Sequence, residues 1–499
     1  MQNQLNNSKA RRLVKYDVAR RYAERGTNSL FYFILFLFIS LNSKAQTQLW
    51  GTTHEGGANG LGTIFMSDST GNSVHTVYDF QTGIAKAPLG GLCLANNGNF
   101  YGVTGLNGFH HDSYCNKYNS TTGIYTNIQD FFTYATDGWC AKSHLIKSSS
   151  GMLYGLCAMG GNGNVNAYGV IYSIDPITDT YNNIYDFDSL NGAHPYGSLI
   201  QANNGKLYGI AEGGGANNSG VIFSFDPTNS IYTKLYDFPL PIGGLTYYGS
   251  LEQATNGKFY GATQYGGANN YGELFSFNES TTTFTDLYDF DFTNGSNPRS
   301  NLIQATDGNF YGLTYSGGVD SLGVLFRIDS NANYTKLLDF IGINGAYPTR
   351  RLLQSRNGKL FGTTTYGGIN NVGVAFSYDI TTNIYTKLID FDANINGSYP
   401  DCEIIETPEL GILGMTCLSN NLEIIVYPNP ATTEFTINAE GTKIKEIKIY
   451  NVLGEMLKSF DKLKITGSET IDISILPSGI YFIQVKTEQG LIRKKFVKE

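Results

Sequence analysis

From Gly197 to Phe238 the chain alternates short apolar runs with breaks rich in Gly, Asn and Asp. Four strands are predicted there: Ser198-Leu199-Ile200-Gln201-Ala202, Lys206-Leu207-Tyr208-Gly209-Ile210, Val221-Ile222-Phe223-Ser224-Phe225-Asp226 and Tyr232-Thr233-Lys234-Leu235-Tyr236-Asp237-Phe238. Each is short, and their aromatic and β-branched content suits a pleated surface rather than a helix. Asn204-Gly205 predicts a type I′ hairpin between the first two, with both central residues at positive φ. A glycine-rich loop, Gly213 to Gly220, follows the second strand, and Pro227-Thr228-Asn229 turns the chain after the third.

The aromatic-Gly pair of the second strand marks a repeat. It recurs at Trp50-Gly51, Tyr101-Gly102, Tyr154-Gly155, Tyr208-Gly209, Tyr260-Gly261, Tyr311-Gly312 and Phe361-Gly362, with a degenerate Leu413-Gly414, at intervals of 51, 53, 54, 52, 51, 50 and 52 residues. The hairpin dipeptide returns at Asn97-Gly98, Asn256-Gly257, Asp307-Gly308 and Asn357-Gly358, and more weakly at Ser150-Gly151. Four short antiparallel strands per unit is the blade pattern of a β-propeller, and seven units over residues 46–420 predict a seven-bladed ring. A parallel β-helix has shorter coils and lacks regular hairpins, because its strands pair in parallel.

The fourth strand ends in Tyr-Asp-Phe or a close variant, placing Asp79, Asp130, Asp186, Asp237, Asp289, Asp339 and Asp390 in equivalent positions. No calcium-loop pattern surrounds them. Their expected role is structural: the Asp accepts backbone amides of the next loop while the Phe fills the gap between blades. Eight candidates for the second strand face seven for each of the others. The first strand near Glu403-Ile404-Ile405 is therefore expected to join the strands around Trp50, Ile64 and Val77 in one composite blade, with Leu413-Gly414-Met415 either surplus or displacing the Trp50 strand.

The texture changes over residues 421–499, where Ile and Lys alternate, as in Ile444-Lys445-Glu446-Ile447-Lys448-Ile449-Tyr450. That pattern, with turns at Asn451-Val452-Leu453-Gly454 and Leu476-Pro477-Ser478-Gly479, predicts a small Ig-like β-sandwich. The fold class is thus all-β, a propeller followed by a sandwich. At the other end, seven basic residues from Lys9 to Arg25 precede the apolar run Leu30 to Ile39, and Ser43-Lys44-Ala45 supplies a cleavage point. Residues 1–45 read as a signal peptide, the run being too short for a comfortable transmembrane span.

Charge separates the same three regions. Residues 46–420 carry 15 Lys/Arg against 30 Asp/Glu, a formal −15, whereas residues 421–499 carry 11 against 10. An acidic body of this kind repels a phosphate backbone, so nucleic acid is excluded as a partner.

Two resemblances follow from quoted residues. Tyr427-Pro428-Asn429-Pro430, Ile449-Tyr450-Asn451-Val452-Leu453-Gly454, Leu476-Pro477-Ser478-Gly479-Ile480-Tyr481-Phe482 and the basic finish Lys494-Lys495-Phe496-Val497-Lys498-Glu499 resemble the type IX secretion C-terminal sorting domain of Bacteroidetes. The resemblance implies the type IX secretion machinery as a partner, passage through the periplasm, and a secreted or outer-surface destination without a stable transmembrane anchor. Tyr260-Gly261-Ala262-Thr263-Gln264-Tyr265-Gly266-Gly267, Gly272-Glu273-Leu274-Phe275-Ser276-Phe277 and Leu287-Tyr288-Asp289-Phe290 resemble GloVer-type tandem repeats. That family implies a surface protein and no defined activity.

Positive signs of catalysis are missing. The six His and six Cys residues form no His-x-x-x-His or Cys-x-x-Cys arrangement, and there is no Gly-x-Ser-x-Gly elbow or Walker loop. No metal, no cofactor and no catalytic residue are expected. Loops after the second and fourth strands share one face of a propeller, and there the candidate ligand-binding residues are His54, His110, His111, Asp112, Trp139 and His194, around a mouth expected to be acidic. Export makes disulfides plausible chemistry, with Cys402–Cys417 and Cys140–Cys157 as the expected pairs. The leading expectation is a binding or adhesion protein for an extracellular glycan or protein. The alternatives are a polysaccharide-active hydrolase or lyase using paired carboxylates, and an adhesin whose repeats act as a spacer.

Overall fold

The computed structural model describes residues 47–71, 74–81, 86–105, 113–131, 137–161, 168–239, 249–408, 424–451, 456–487 and 491–499. The proposed signal peptide, His110, His111, Asp112, Leu413-Gly414-Met415 and Cys417 lie outside them.

Seven antiparallel sheets succeed one another along the body. Blade 4 is the simplest, with Ile200–Gln201, Leu207–Ala211, Val221–Asp226 and Ile231–Asp237 side by side. Its second strand is wholly buried and its fourth alternates exposed and half-buried positions, so the fourth strand forms the rim. Blade 1 is composite: Ile405–Pro408 pairs with Thr47–Thr53, which continues into Thr63–Asp68 and His75–Asp79. The two ends of the repeat array are thereby tied together, as the count of strand copies predicts.

Closure of the ring is visible in the packing. Each of seven apolar clusters joins one blade to the next, from Trp50, Ile64 and Phe80 against Leu92, Phe100 and Tyr118, round to Phe361, Ala375 and Phe391 against Leu49, Phe65 and Ile404. The Phe that ends each fourth strand (Phe80, Phe131, Phe187, Phe238, Phe290, Phe340 and Phe391) belongs to one of these clusters and is at most 2% exposed. Full burial of such a ring is worth roughly 2–3 kcal/mol.

The repeated residues have specific duties. Gly209 lies opposite Phe223, and a Cβ on it would meet that ring at 2.6 Å, which explains the glycine of the aromatic-Gly pair. The strand-end Asp does accept a backbone amide, but from the loop after the second strand of its own blade: Asp237 Oδ1 takes Ala216 N at 2.7 Å and Asp390 Oδ1 takes Ile369 N at 2.9 Å. This corrects the expectation of a bond to the next loop, because the fourth strand runs antiparallel to the third and ends beside that loop.

The hairpins also differ from expectation. Asn204 is not at positive φ; only Gly205 is (φ 84), and Ala202 and Lys206 close a three-residue loop through Ala202 N to Lys206 O at 2.9 Å. A three-residue loop needs the left-handed conformation only at its last position. The Asn is used otherwise, its side chain donating to the Tyr208 hydroxyl at 2.7 Å.

The expected Cys140–Cys157 bridge is not formed, both being free, buried thiols; Cys402 is also a free, buried thiol, and its expected partner Cys417 lies outside the described residues. Cys140 sits at φ 61 and packs with Ala158 and Tyr196, whereas Cys157 points into the cluster between blades 2 and 3 with Val170 and Ala141. The two side chains occupy different packing compartments. Cys402 Sγ instead accepts Thr52 N at 3.1 Å.

Residues 424–499 form a separate five-stranded assembly. Its long strand Glu434–Tyr450 pairs with Ile424–Tyr427, Met456–Asp472 and Gly479–Thr487. Strict alternation would send Ile444 and Ile447 to opposite faces, yet both are fully buried, because the register shifts between Ile444 and Glu446. The sorting motifs converge. Asn429 Oδ1 accepts Val497 N at 2.9 Å, Ala431 N donates to Val497 O at 2.8 Å, and Tyr481 stacks on Phe496 at 5.5 Å.

Candidate functional site at the axial mouth

Among the described residues, the connections from one blade's fourth strand to the next blade's first strand run toward the axis. Five of them carry a residue at positive φ immediately before proline: Ala87, His194, Asn297, Tyr347 and Tyr399, with φ from 51 to 56. Residues before proline favour extended backbone, so these positions are strained. Isolated bridges such as Ala193 with Gly213, Ser296 with Ser316 and Ala346 with Tyr366 hold the connections against the loops after the second strands. Both loop sets therefore share one face.

The residues just after those prolines meet across the ring. Arg350, before blade 7, donates to Leu89 O at 2.9 Å, before blade 2, and Arg351 donates to Glu252 of blade 5 at 2.7 Å. His144, before blade 3, lies 3.1 Å from the Glu403 carboxylate of blade 1 and 2.7 Å from Ser198 Oγ. Contacts between non-neighbouring blades are possible only across the axis, so this is the mouth of the central channel, a narrow polar cleft.

Among the described residues its charges are mixed, where an acidic mouth was expected. Arg350 forms a bidentate pair with Asp401 at 2.7 and 3.0 Å. Burial opposes ionisation of Asp401, but Arg350, Thr349 and His54 together hold its carboxyl below the usual range. Glu403 is likewise held low against burial by His144, Arg351 and Arg350. Two further cations lie on aromatic faces: Arg299 Cζ is 3.8 Å from the Tyr315 ring centroid and Lys142 Nζ is 5.6 Å from that of Tyr196. With the Gln264 amide oxygen turned toward it, Arg299 also donates to that oxygen at 3.1 and 3.2 Å. Glu212 is 7% exposed, its Oε2 lacks a hydrogen-bond partner, and burial pushes its carboxyl up to about 7 despite nearby Lys142.

Tyrosines continue outward from this cleft. Tyr315 contacts Tyr347 at 5.0 Å, Tyr347 meets Tyr366 at 5.9 Å, and Tyr366 meets Tyr399 at 5.2 Å, an aromatic arc spanning three blades. Two of its members are the strained pre-proline residues Tyr347 and Tyr399.

The expected ligand residues fall into two groups. Trp139 packs with Met159 against Cys140, Ala158 and Tyr196, and the His194 ring lies parallel to Tyr196 at 6.5 Å, with its Nδ1 3.0 Å from Ala158 O. Trp139 and His194 thus gather around Tyr196 and Lys142. His54 belongs to the blade 1 side of the mouth, close enough to Asp401 to lower its carboxyl, with Nδ1 3.9 Å from Glu55 and its amide on Tyr399 O. Sequence reasoning missed Lys142, Glu212, Arg299 and the tyrosine arc. For Arg299 a signal was present: aligned on Pro195, Pro298, Pro348 and Pro400, the next residue is Tyr196, Arg299, Thr349 or Asp401, a position where the repeat loses its regularity.

The Gloeobacter/Verrucomicrobia repeat model matches residues 40–251 and 242–421, and a secretion system C-terminal sorting domain matches residues 425–499. No curated protein matches the chain. Among solved structures, a putative 6-phosphogluconolactonase from Bacteroides fragilis is similar at 14% identity and a TM-score of 0.50, covering 73% of this chain and 99% of that one. An oligogalacturonate lyase from Vibrio parahaemolyticus gives 12% identity and a TM-score of 0.42, covering 67% of this chain and 94% of that one. At 14% identity the likeness to the first of these concerns the fold.

Proposed function

Because the chain belongs to the Gloeobacter/Verrucomicrobia repeat family and ends in a type IX sorting domain, we propose that its propeller is a non-enzymatic binding module for extracellular glycan. The sorting domain sends it to the cell surface or the medium. The observation that carries the binding reading is the pairing of an aromatic arc with Arg299 and Lys142 at one axial mouth. Sugar rings stack on tyrosine faces, and guanidinium or ammonium groups recognise carboxylates, so the ligand class is a glycan bearing uronic or other acidic sugars. Binding of acidic and neutral oligosaccharides on a glycan array tests this. R299A is expected to weaken acidic-glycan binding at least tenfold, and W139A to reduce it less. Unchanged binding in R299A sinks the site.

Glu212 favours a second reading, a polysaccharide-active enzyme, since a carboxyl that stays protonated near neutrality suits a general acid. Release of reducing ends or unsaturated products from acidic polysaccharide, abolished in E212Q, would establish that reading over the first.

A further inference from the structure

Blade 5 departs from its siblings at two positions that touch. In blades 4, 6 and 7 the strand-end Asp is paired with a lysine three residues earlier, Lys234–Asp237 at 3.0 Å, Lys336–Asp339 at 3.0 Å and Lys387–Asp390 at 2.8 Å. The residue directly opposite that Asp on the third strand is Val221, Val324 or Val374. In blade 5 the lysine position holds Asp286 and the valine position holds Glu273, beside the strand-end Asp289. One cation is lost and two carboxylates are gained at a single spot.

Oxygens from Glu273, Asp286 and Asp289 all lie within 4.8 Å of one another. Ligands 2.3–2.6 Å from a common centre can be at most about 5 Å apart, so the three fit one calcium coordination sphere. A second observation points inward. Glu273 is 2% exposed, and its Oε1 has no hydrogen-bond partner. A buried carboxylate facing two others without a counter-charge is costly unless a cation or proton joins it. Asp286 is exposed, which leaves the site an entrance from the rim.

We propose that Glu273, Asp286 and Asp289 form a calcium site in blade 5, taking the place of the lysine that neutralises the equivalent Asp in blades 4, 6 and 7. No metal is expected from the sequence motifs, because the ligands come from two strands rather than one loop. The all-oxygen donor set selects a hard cation, and calcium, whose coordination is flexible in number and angle, suits three carboxylates on two paired strands better than magnesium, whose octahedron is strict. Since Asp289 Oδ1 also accepts Ala268 N at 2.9 Å, the ion would brace the loop after the second strand.

Calcium added to the purified protein, with thermal unfolding and terbium luminescence as readouts, tests the proposal. Saturable stabilisation by ~3 °C or more at millimolar calcium, reversed by chelator and much weaker with magnesium, is expected. D286K should abolish the shift, while its calcium-free melting point stays at or above that of the parent, because the introduced ammonium can pair with Asp289 as in blade 4. D286N, closer in shape, serves if D286K does not fold. Absence of any calcium effect on the parent up to ~10 mM, or an undiminished effect in the variant that folds, overturns the site.

Discussion

Phe238 shows why the Tyr-Asp-Phe ending recurs. Its ring is fully buried between blades 4 and 5, against Leu251 and Phe275. Phe238→Ala is expected to lower stability by ~3–5 kcal/mol, read by denaturant unfolding of the secreted protein. Gly209→Ala should cost ~1–3 kcal/mol, since the new methyl must displace the Phe223 ring. The thiols are the third case. Burial pushes Cys93 and Cys402 up to about 12, and raises Cys115, Cys140 and Cys157 as well. Mass spectrometry without reduction should find these five free, and they should resist alkylation until the protein is unfolded. Alternation, turn dipeptides and the strand-end Asp-Phe were legible in the sequence because each is a local preference. The partner of a side chain, such as the loop amide held by Asp237 or the different compartments of Cys140 and Cys157, depends on which segments the fold brings alongside.

Neighbouring blades are joined by more than apolar packing. A Gln in the first strand of each of blades 4 to 7 accepts a hairpin amide from the preceding blade, as Gln253 Oε1 does from Asn203 N at 2.8 Å and Gln304 Oε1 from Thr255 N at 2.8 Å. Blade 1 uses Glu406 for the same purpose, accepting Arg356 N at 3.0 Å. Fourth strands also stack across the gap, Tyr185 on Tyr232 at 4.1 Å and Tyr288 on Tyr334 at 3.9 Å. Gln253→Ala should therefore cost ~1 kcal/mol, measurable as a small drop in melting temperature. Glu212 makes the mouth pH-sensitive. Its folded carboxyl is raised from the ordinary 4.5 to about 7, so the native state holds the proton more tightly than the unfolded chain. Its destabilising effect is absent below 4.5, grows as pH rises through that window, and is complete above 7. Glu212→Gln should gain up to ~3 kcal/mol over the parent at pH 8 and nothing at pH 4, as followed by unfolding across pH.

The ring itself depends on its closing strand. Ile405–Pro408 completes blade 1, and Ile404 and Cys402 fill the last inter-blade cluster. Removing residues 403–408 should leave blades 1 and 7 without that seal and unfold the body cooperatively, as seen by loss of a single thermal transition. Removing residues 421–499 should spare the body's fold but strand the protein in the periplasm, detected by fractionation; surface delivery of the truncated chain would refute the sorting role of the tail. Both the blade number and the composite blade follow from counting along the chain. A repeat of this kind writes its period, strand type and closure into local pattern, because every unit solves the same packing problem with the same residues. The places where units differ are another matter. Arg299, Lys142 and the tyrosine arc lie far apart in the chain and meet only where the ring turns its connections toward one axis. Glu273 and Asp286 become neighbours only through the pairing of adjacent strands. Periodicity carries the scaffold, while the chemistry of the mouth and of blade 5 belongs to juxtapositions that a one-dimensional reading does not contain.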